Sequence, residues 1–343
     1  MRLARRSTLS ALAATALLST VCAGAAQAST PVPKVGTPFP YVGLVRAAGV
    51  DRYETAAVIS QGSFQPSSGS AVFITSGEAP ADALTAGPAA ASLDAPLLLT
   101  RADDLPAATA TELARLKPST VYVIGGTDRV SEAVLSRIGT AAAGSTVTRI
   151  AGATRYETAV DVAEEFFPNP EGVVVTRGDT FPDALSGGAA AASAGVPVMI
   201  TEPTSIPAPV AQWMAQHTFA ASVVVGSSAS VSDQVAATVA SRTSSAAEAT
   251  RIAGADRYDT SAAVAAELFP QASTVVIATG DDFPDALAGV PAAAVNAAPV
   301  LLLPQACTPA SLAAYVQGNT GITAEIVLGG PTSVTPEALT TNC

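Results

Sequence analysis

Short apolar runs alternate with helical stretches along most of the chain. The runs Ala71-Val-Phe-Ile-Thr, Val173-Val-Val-Thr and Val275-Val-Ile-Ala-Thr are rich in β-branched residues. Their length suits strands buried on both faces. A helix precedes each run. It is clearest in Glu157-Thr-Ala-Val-Asp-Val-Ala-Glu-Glu-Phe, where Val160, Ala163 and Phe167 fall at helical spacing. After each run come a glycine, acidic residues and an Ala-rich helix beginning at Asp82, Asp183 or Asp285. A proline just before Asp183 and Asp285 marks the helix entrance. These helices stop before Ala95-Pro, Val196-Pro and Ala298-Pro, where a second aliphatic strand begins. In the first unit a polar helix, Pro106 to Leu116, leads to a third strand and Gly125-Gly126. Val130 to Ile138 then reads as an amphipathic helix capped by Ser131. The alternation predicts an α/β fold with mainly parallel sheets. In such sheets the ligand crevice lies beyond the carboxyl ends of the strands. The acidic loop and the Gly-Gly turn leave from those ends, so they should converge within each unit.

The unit is written three times. Arg46-Ala-Ala-Gly-Val-Asp-Arg-Tyr-Glu-Thr recurs from Arg149 and from Arg251. Gly178-Asp-Thr-Phe-Pro-Asp-Ala-Leu recurs from Gly280 and, worn down, from Gly77. The Pro-plus-aliphatic strand and the glycine turn (Gly125-Gly126, Gly226-Ser227, Gly329-Gly330) follow in the same order. A repeat of about 100 residues is too long for a solenoid unit and long enough to bury its own core. The reading divides the chain into a signal peptide at 1–28, a Pro-rich segment at 29–45, and copies at 46–145, 146–247 and 248–343. The stretch from Tyr41 can also serve as the first strand of copy one.

Composition narrows the setting. Arg2, Arg5 and Arg6, an apolar run from Leu9 to Val21, and Ala26-Gln-Ala28 make a secretory signal. The apolar run is shorter than the ~20 residues a spanning helix needs. No other segment reads as a membrane span. Removing residues 1–28 takes away three arginines and no carboxylate, which moves the net charge from −11 to −14. That balance argues against a nucleic-acid partner held by general charge. Cys307 and Cys343 remain as an even pair in an oxidising compartment. A disulfide pinning the C-terminal tail is the simplest reading; free thiols and intermolecular pairing are the alternatives.

Three sets of residues could carry chemistry. Arg46, Arg52, Arg149, Arg155, Arg251 and Arg257 offer planar forks suited to carboxylate and phosphate. They could grip a polyanion, or the second arginine of each copy could pair with its Asp82, Asp183 or Asp285 and lock the fold. The acidic loops could work as acid and base, or hold a bridging divalent cation, but structural capping accounts for them as well. Gly125, Gly126, Gly226, Gly329 and Gly330 could present N–H groups to an anion or serve as tight turns. The aliphatic strands read as core. His217 is the one histidine, with no nucleophile elbow or zinc spacing beside it. It reads as a surface or helix-end residue. Catalytic residues, cofactors and a resident metal are therefore not expected.

Together these ordered boxes resemble the cell wall-binding repeat 2 family of bacterial surface proteins, over residues 46 to about 339. The resemblance implies a Toprim-like α/β fold in each copy and packing of the three around a pseudo-threefold axis. It implies non-covalent attachment to an anionic cell-wall polysaccharide or secondary polymer; peptidoglycan itself is a further candidate partner. It places binding at the aliphatic strand and the grooves between copies. The departures are Glu78-Ala-Pro-Ala in copy one, Ser227 in copy two, and Leu303-Pro304 without the threonine in copy three. No residues are left over for a separate hydrolase domain of the kind that family members carry. A peptidoglycan hydrolase or hydrolase modifier is one rival reading. A structural or adhesive surface protein with a protein partner is the other.

Overall fold

A computed structural model describes residues 39, 43–66, 70–80, 82–244 and 249–343. The signal peptide and nearly all of the Pro-rich segment up to residue 42 lie outside the described residues. The first copy runs β1 (Leu44–Ala47), α1 (Arg52–Ser63), β2 (Ala71–Ser76), a 3₁₀ turn (Ala83–Thr85), α2 (Ala86–Ser92), β3 (Leu97–Thr100), α3 (Ala107–Leu116), β4 (Thr120–Ile124) and α4 (Glu132–Ala141). The second runs β5 (Thr146–Ile150), α5 (Arg155–Phe166), β6 (Gly172–Arg177), α6 (Pro182–Ala194), β7 (Val198–Thr201), α7 (Ala208–Ala215), β8 (Ala221–Val225) and α8 (Asp233–Ala240). The third runs β9 (Thr250–Ile252), α9 (Arg257–Leu268), β10 (Thr274–Thr279), α10 (Pro284–Val295), β11 (Val300–Leu303), α11 (Ala310–Gly318), β12 (Ala324–Leu328) and α12 (Pro336–Thr340).

Three four-stranded sheets result, with strand orders β3-β2-β4-β5, β7-β6-β8-β9 and β11-β10-β12-β1. Every named strand pair is parallel. The strand that opens each sequence repeat therefore belongs to the sheet of the repeat before it. The first strand is not part of copy one's sheet. It closes the ring on copy three, with Val45 opposite Ile326. After that strand the chain crosses to the next sheet through the Arg-x-x-Gly turn. Gly152 has no room for a side chain there, because an added Cβ would lie 2.2 Å from the Glu157 Cβ. Its N–H donates to Thr158 Oγ1 at 3.1 Å. Asp51, Thr154 and Asp256 cap the helices that follow.

The Ala-rich helices α2, α6 and α10 pack on one another at the centre, which gives the pseudo-threefold plan. Proline occupies the first turn of α6 and α10. The aliphatic strands β3, β7 and β11 are edge strands, and helices cover them, so all of their residues are buried. Cys307 and Cys343 form the expected disulfide.

Candidate functional site

The arginine boxes lie at the junctions between copies. The first arginine stands on the borrowed strand and reaches the glycine turn of that same sheet. Arg149 donates to the carbonyls of Gly125 and Val130, both at 2.7 Å. Arg251 donates to Gly226 O at 2.7 Å, and Arg46 to Gly329 O at 2.7 Å and Val334 O at 3.0 Å. The second arginine opens the next helix and donates to the first glycine of its own acidic loop. Arg52 reaches Gly77 O at 2.5 Å, Arg155 reaches Gly178 O at 2.8 Å, and Arg257 reaches Gly280 O at 2.6 Å. Both arginines thus act as latches between chain segments.

The predicted pairing of the second arginine with the aspartate of its own copy does not form. Each aspartate instead faces the following copy around the ring. Asp82 feels Arg155, Asp183 feels Arg257, and Asp285 feels Arg52. The reason is topological: the chain changes sheets at the arginine box, so that box lies beside the acidic loop of the preceding copy. Arg52 also makes an ion pair across the junction with Asp282 at 3.1 Å.

The acidic loop and the glycine turn do converge within each copy. Gly125, Gly226 and Gly329 have φ of 117°, 117° and 89°. An added Cβ would lie 2.6 Å from Asp183 Oδ2 at Gly226 and 2.2 Å from Asp285 Oδ2 at Gly329. Backbone conformation and the nearby carboxylate therefore both demand glycine. The N–H groups of these glycines are also already used, donating to Ile150, Ile252 and Ala47 carbonyls. The second position lacks a left-handed backbone and admits Ser227, which explains that departure.

One set of partners was missed in the sequence. Four residues after the first glycine of each turn stand Arg129, Ser230 and Ser333. Arg129 Nε lies 3.9 Å from Asp82 Oδ2, while Ser230 and Ser333 hydrogen-bond to Asp183 and Asp285. The fixed spacing was the available signal. Burial pushes the carboxyl of all three aspartates above the ordinary value, and these neighbours offset it in part. Asp285 is pushed up to about 6, because burial is joined by the charge of Asp282.

Among the described residues, two junctions open as clefts beyond the strand ends. The cleft between copies two and three, about 230 Å³, is lined by Arg177, Arg257, Asp183, Asp256 and hydroxyls of Ser227 and Ser230. The cleft between copies three and one, about 150 Å³, is lined by Arg52, Asp51, Asp282, Asp285 and Ser333, with Gly330 at its edge. Gly126 holds the matching place in the turn of copy one. Arg177 is unique to copy two and pairs with Asp179. The Arg257 guanidinium lies 5.8 Å from the Phe181 ring centroid, and that of Arg52 lies 5.9 Å from Phe283. In copy one Pro80 replaces the ring. His217 lies apart from these clefts, its Nδ1 2.8 Å from the Trp213 carbonyl at the end of α7.

The comparisons with known proteins agree with this architecture. The Cell wall binding domain 2 (CWB2) family matches residues 46–135, 149–236 and 251–339. The chain is 33% identical over 249 residues to the N-acetylmuramoyl-L-alanine amidase LytC of Bacillus subtilis (strain 168). That match covers 73% of this chain and 48% of the amidase. It is 30% identical over 267 residues to the Amidase enhancer of the same organism, covering 78% of this chain and 35% of the enhancer. The chain thus spans about half, or less, of the curated relatives it matches. Among solved structures, Cwp6 from Clostridium difficile superposes with a TM-score of 0.79 at 30% identity, over 85% of this chain and 46% of that one. Cwp8 from Clostridium difficile does so with 0.77 at 25% identity, over 84% and 49%. No helix among the described residues is long and apolar enough to cross a membrane. The three matched stretches make up most of the chain, and the chain belongs to the cell wall binding domain 2 family.

Proposed function

We propose that this protein attaches non-covalently to an anionic polymer of the cell wall through the clefts between its copies. The observation that carries this reading is the ring itself. It sets similar clefts at successive junctions, each walled by the acidic loop of one copy and the arginine box of the next. Repeated weak sites on one body suit a repetitive polymer, and joint engagement raises avidity by roughly 10²–10⁴ where the geometry allows. The cleft between copies two and three favours an anion most, since Arg177 and Arg257 both line it beside hydroxyl donors. The N-terminal 28 residues act as a secretory signal on this reading, which puts the protein on the wall or cell surface.

A second reading has a specific observation behind it. The chain resembles part of an amidase and part of an amidase enhancer. The aspartates here are engaged with hydroxyls and arginines, and His217 is bound at a helix end. Those engagements favour binding over hydrolysis, with modification of a separate hydrolase as the form the rival takes.

Co-sedimentation of the purified mature chain with cell walls, before and after acid stripping of the secondary polymers, separates the readings. Loss of binding on stripping supports attachment to the polymer. Retention points to peptidoglycan and brings the hydrolase modifier forward. Absence of binding to either wall overturns the proposal. Substitutions should begin with Arg177, since Arg257 latches onto the Gly280 carbonyl and Arg46, Arg149 and Arg251 hold their glycine turns.

A further inference from the structure

The loop between the second strand of each sheet and the next helix carries a variable residue two positions before the helix-capping proline. It is Asp104 in copy one, Ser205 in copy two and Cys307 in copy three. In copy one Asp104 pairs with Arg137 on α4. In copy three Cys307 is bonded to Cys343, just beyond α12. Both ties draw the loop against the last helix of the copy. In copy two Ser205 turns away to Glu202 Oε2 at 2.7 Å. Counted from the capping Ser131 and Ser232, Thr238 stands where Arg137 stands in copy one. The seam between α7 and α8 therefore lacks this side-chain tie. Backbone hydrogen bonds from Ser232 N–H to Pro203 O and from Phe219 N–H to Arg242 O hold its two ends, and between them it opens as a groove of about 330 Å³.

The lining of this groove is amphipathic. Ile206, Met214 and Val235 give it an apolar floor, and Gln234, Thr238 and Arg242 supply polar groups. Arg242 is half-buried, and its guanidinium makes no hydrogen bond or ion pair among the described residues. Every other arginine there has such a partner. A fork left open beside an apolar floor suits a carboxylate attached to a short aliphatic group. The volume lies at the small end of ligand sites, which limits the ligand to about the size of a dipeptide.

The geometry points to a second binding site in copy two, a groove between α7 and α8 that takes the carboxylate end of a short peptide with small aliphatic side chains. Arg242 holds the carboxylate, Gln234 and Thr238 meet the peptide amides, and the floor takes the side chains. This site stands apart from the junction clefts and does not depend on them.

The chain has its own reporters, since its three methionines are Met1, Met199 and Met214. Met214 lines the groove, and Met199 is buried in β7. With methyl-labelled methionine, N-acetyl-dialanine should shift the Met214 resonance and leave Met199 unmoved. Arg242→Gln, or amidation of the peptide, should weaken the response at least tenfold. Ala211→Trp should fill the exposed groove and abolish the response while Met199 reports an intact core. A stronger response to the D,D form than to the L,L form assigns the ligand to wall peptides, and the reverse assigns it to protein C-termini. No shift with either form, or equal shifts with the amidated peptide and with Arg242→Gln, would overturn the site. Inorganic phosphate acting as strongly as the peptide would overturn its assignment to carboxylates.

Discussion

The cleft between copies two and three and the cleft between copies three and one share one plan and differ in charge. The first sets two arginines against two aspartates, and the second sets one arginine against three. They differ in tethering too. The strand β9 is held in the chain on both sides, whereas β1 follows the N-terminal segment and is held to copy three by pairing with β12 and by the Arg46 latch. A fold can repeat its scaffold strictly, through latch, cap and glycine, while varying the residues that line the space left over.

The largest effect should come from the latches. Arg46→Ala and Arg251→Ala each remove guanidinium hydrogen bonds to buried turn carbonyls. A hydrogen bond to a charged group contributes about 1.5–3 kcal/mol, so each variant should lose about 2–4 kcal/mol in urea unfolding. Arg46→Ala should also loosen β1, seen as faster amide exchange there than Arg251→Ala produces in β9. Losses below about 1 kcal/mol in both would show that the arginines are free for a ligand after all.

The pH dependence should separate the clefts next. Asp285 titrates near 6 in the fold, against the model-peptide value of 3.8. The folded state thus holds this proton more tightly than the unfolded chain does. The stability it contributes is fully present below about pH 4 and is lost as pH rises through 6. At 1.36 kcal/mol per pH unit the shift corresponds to about 3 kcal/mol. Asp285→Asn should flatten that part of the stability curve and raise the melting temperature at pH 7.5 more than at pH 4.5. An unchanged curve would place the Asp285 carboxyl in an environment no drier than that of an ordinary surface aspartate.

The scaffold was legible in the sequence because it is local and periodic. Strand runs, Pro182 and Pro284 at helix entrances, the Ser131 cap and the order of the boxes all depend on neighbours within a few residues. The exchange of strands was not legible. Nothing in Thr148-Arg-Ile says that its strand pairs backward with β4 while its arginine box walls the next junction. The partners of the buried aspartates were missed for the same reason, although Arg129, Ser230 and Ser333 share one spacing. Arg242 gave no signal at all, since the role proposed for it rests on its having no partner among the described residues, which only the fold reveals.

The smallest effect is the most direct test of the comparison, because it converts one cleft into the other. Thr279 and Asp282 occupy in copy three the positions of Arg177 and Thr180 in copy two. Asp281, matching Asp179, is already there to receive the new guanidinium. The double variant Thr279→Arg, Asp282→Thr should bring the acidic cleft to the two-against-two balance of its neighbour and remove a charge that raises the Asp285 pKa. If the clefts bind an anionic polymer, wall affinity at low salt should rise by about tenfold, or ~1.4 kcal/mol, and the gain should shrink as salt screens it. The reverse change, Arg177→Thr with Thr180→Asp, should lower affinity by a similar factor. Should both variants bind as the parent does, the difference in charge between the clefts has no bearing on the wall. The polymer would then have to be held elsewhere on the ring.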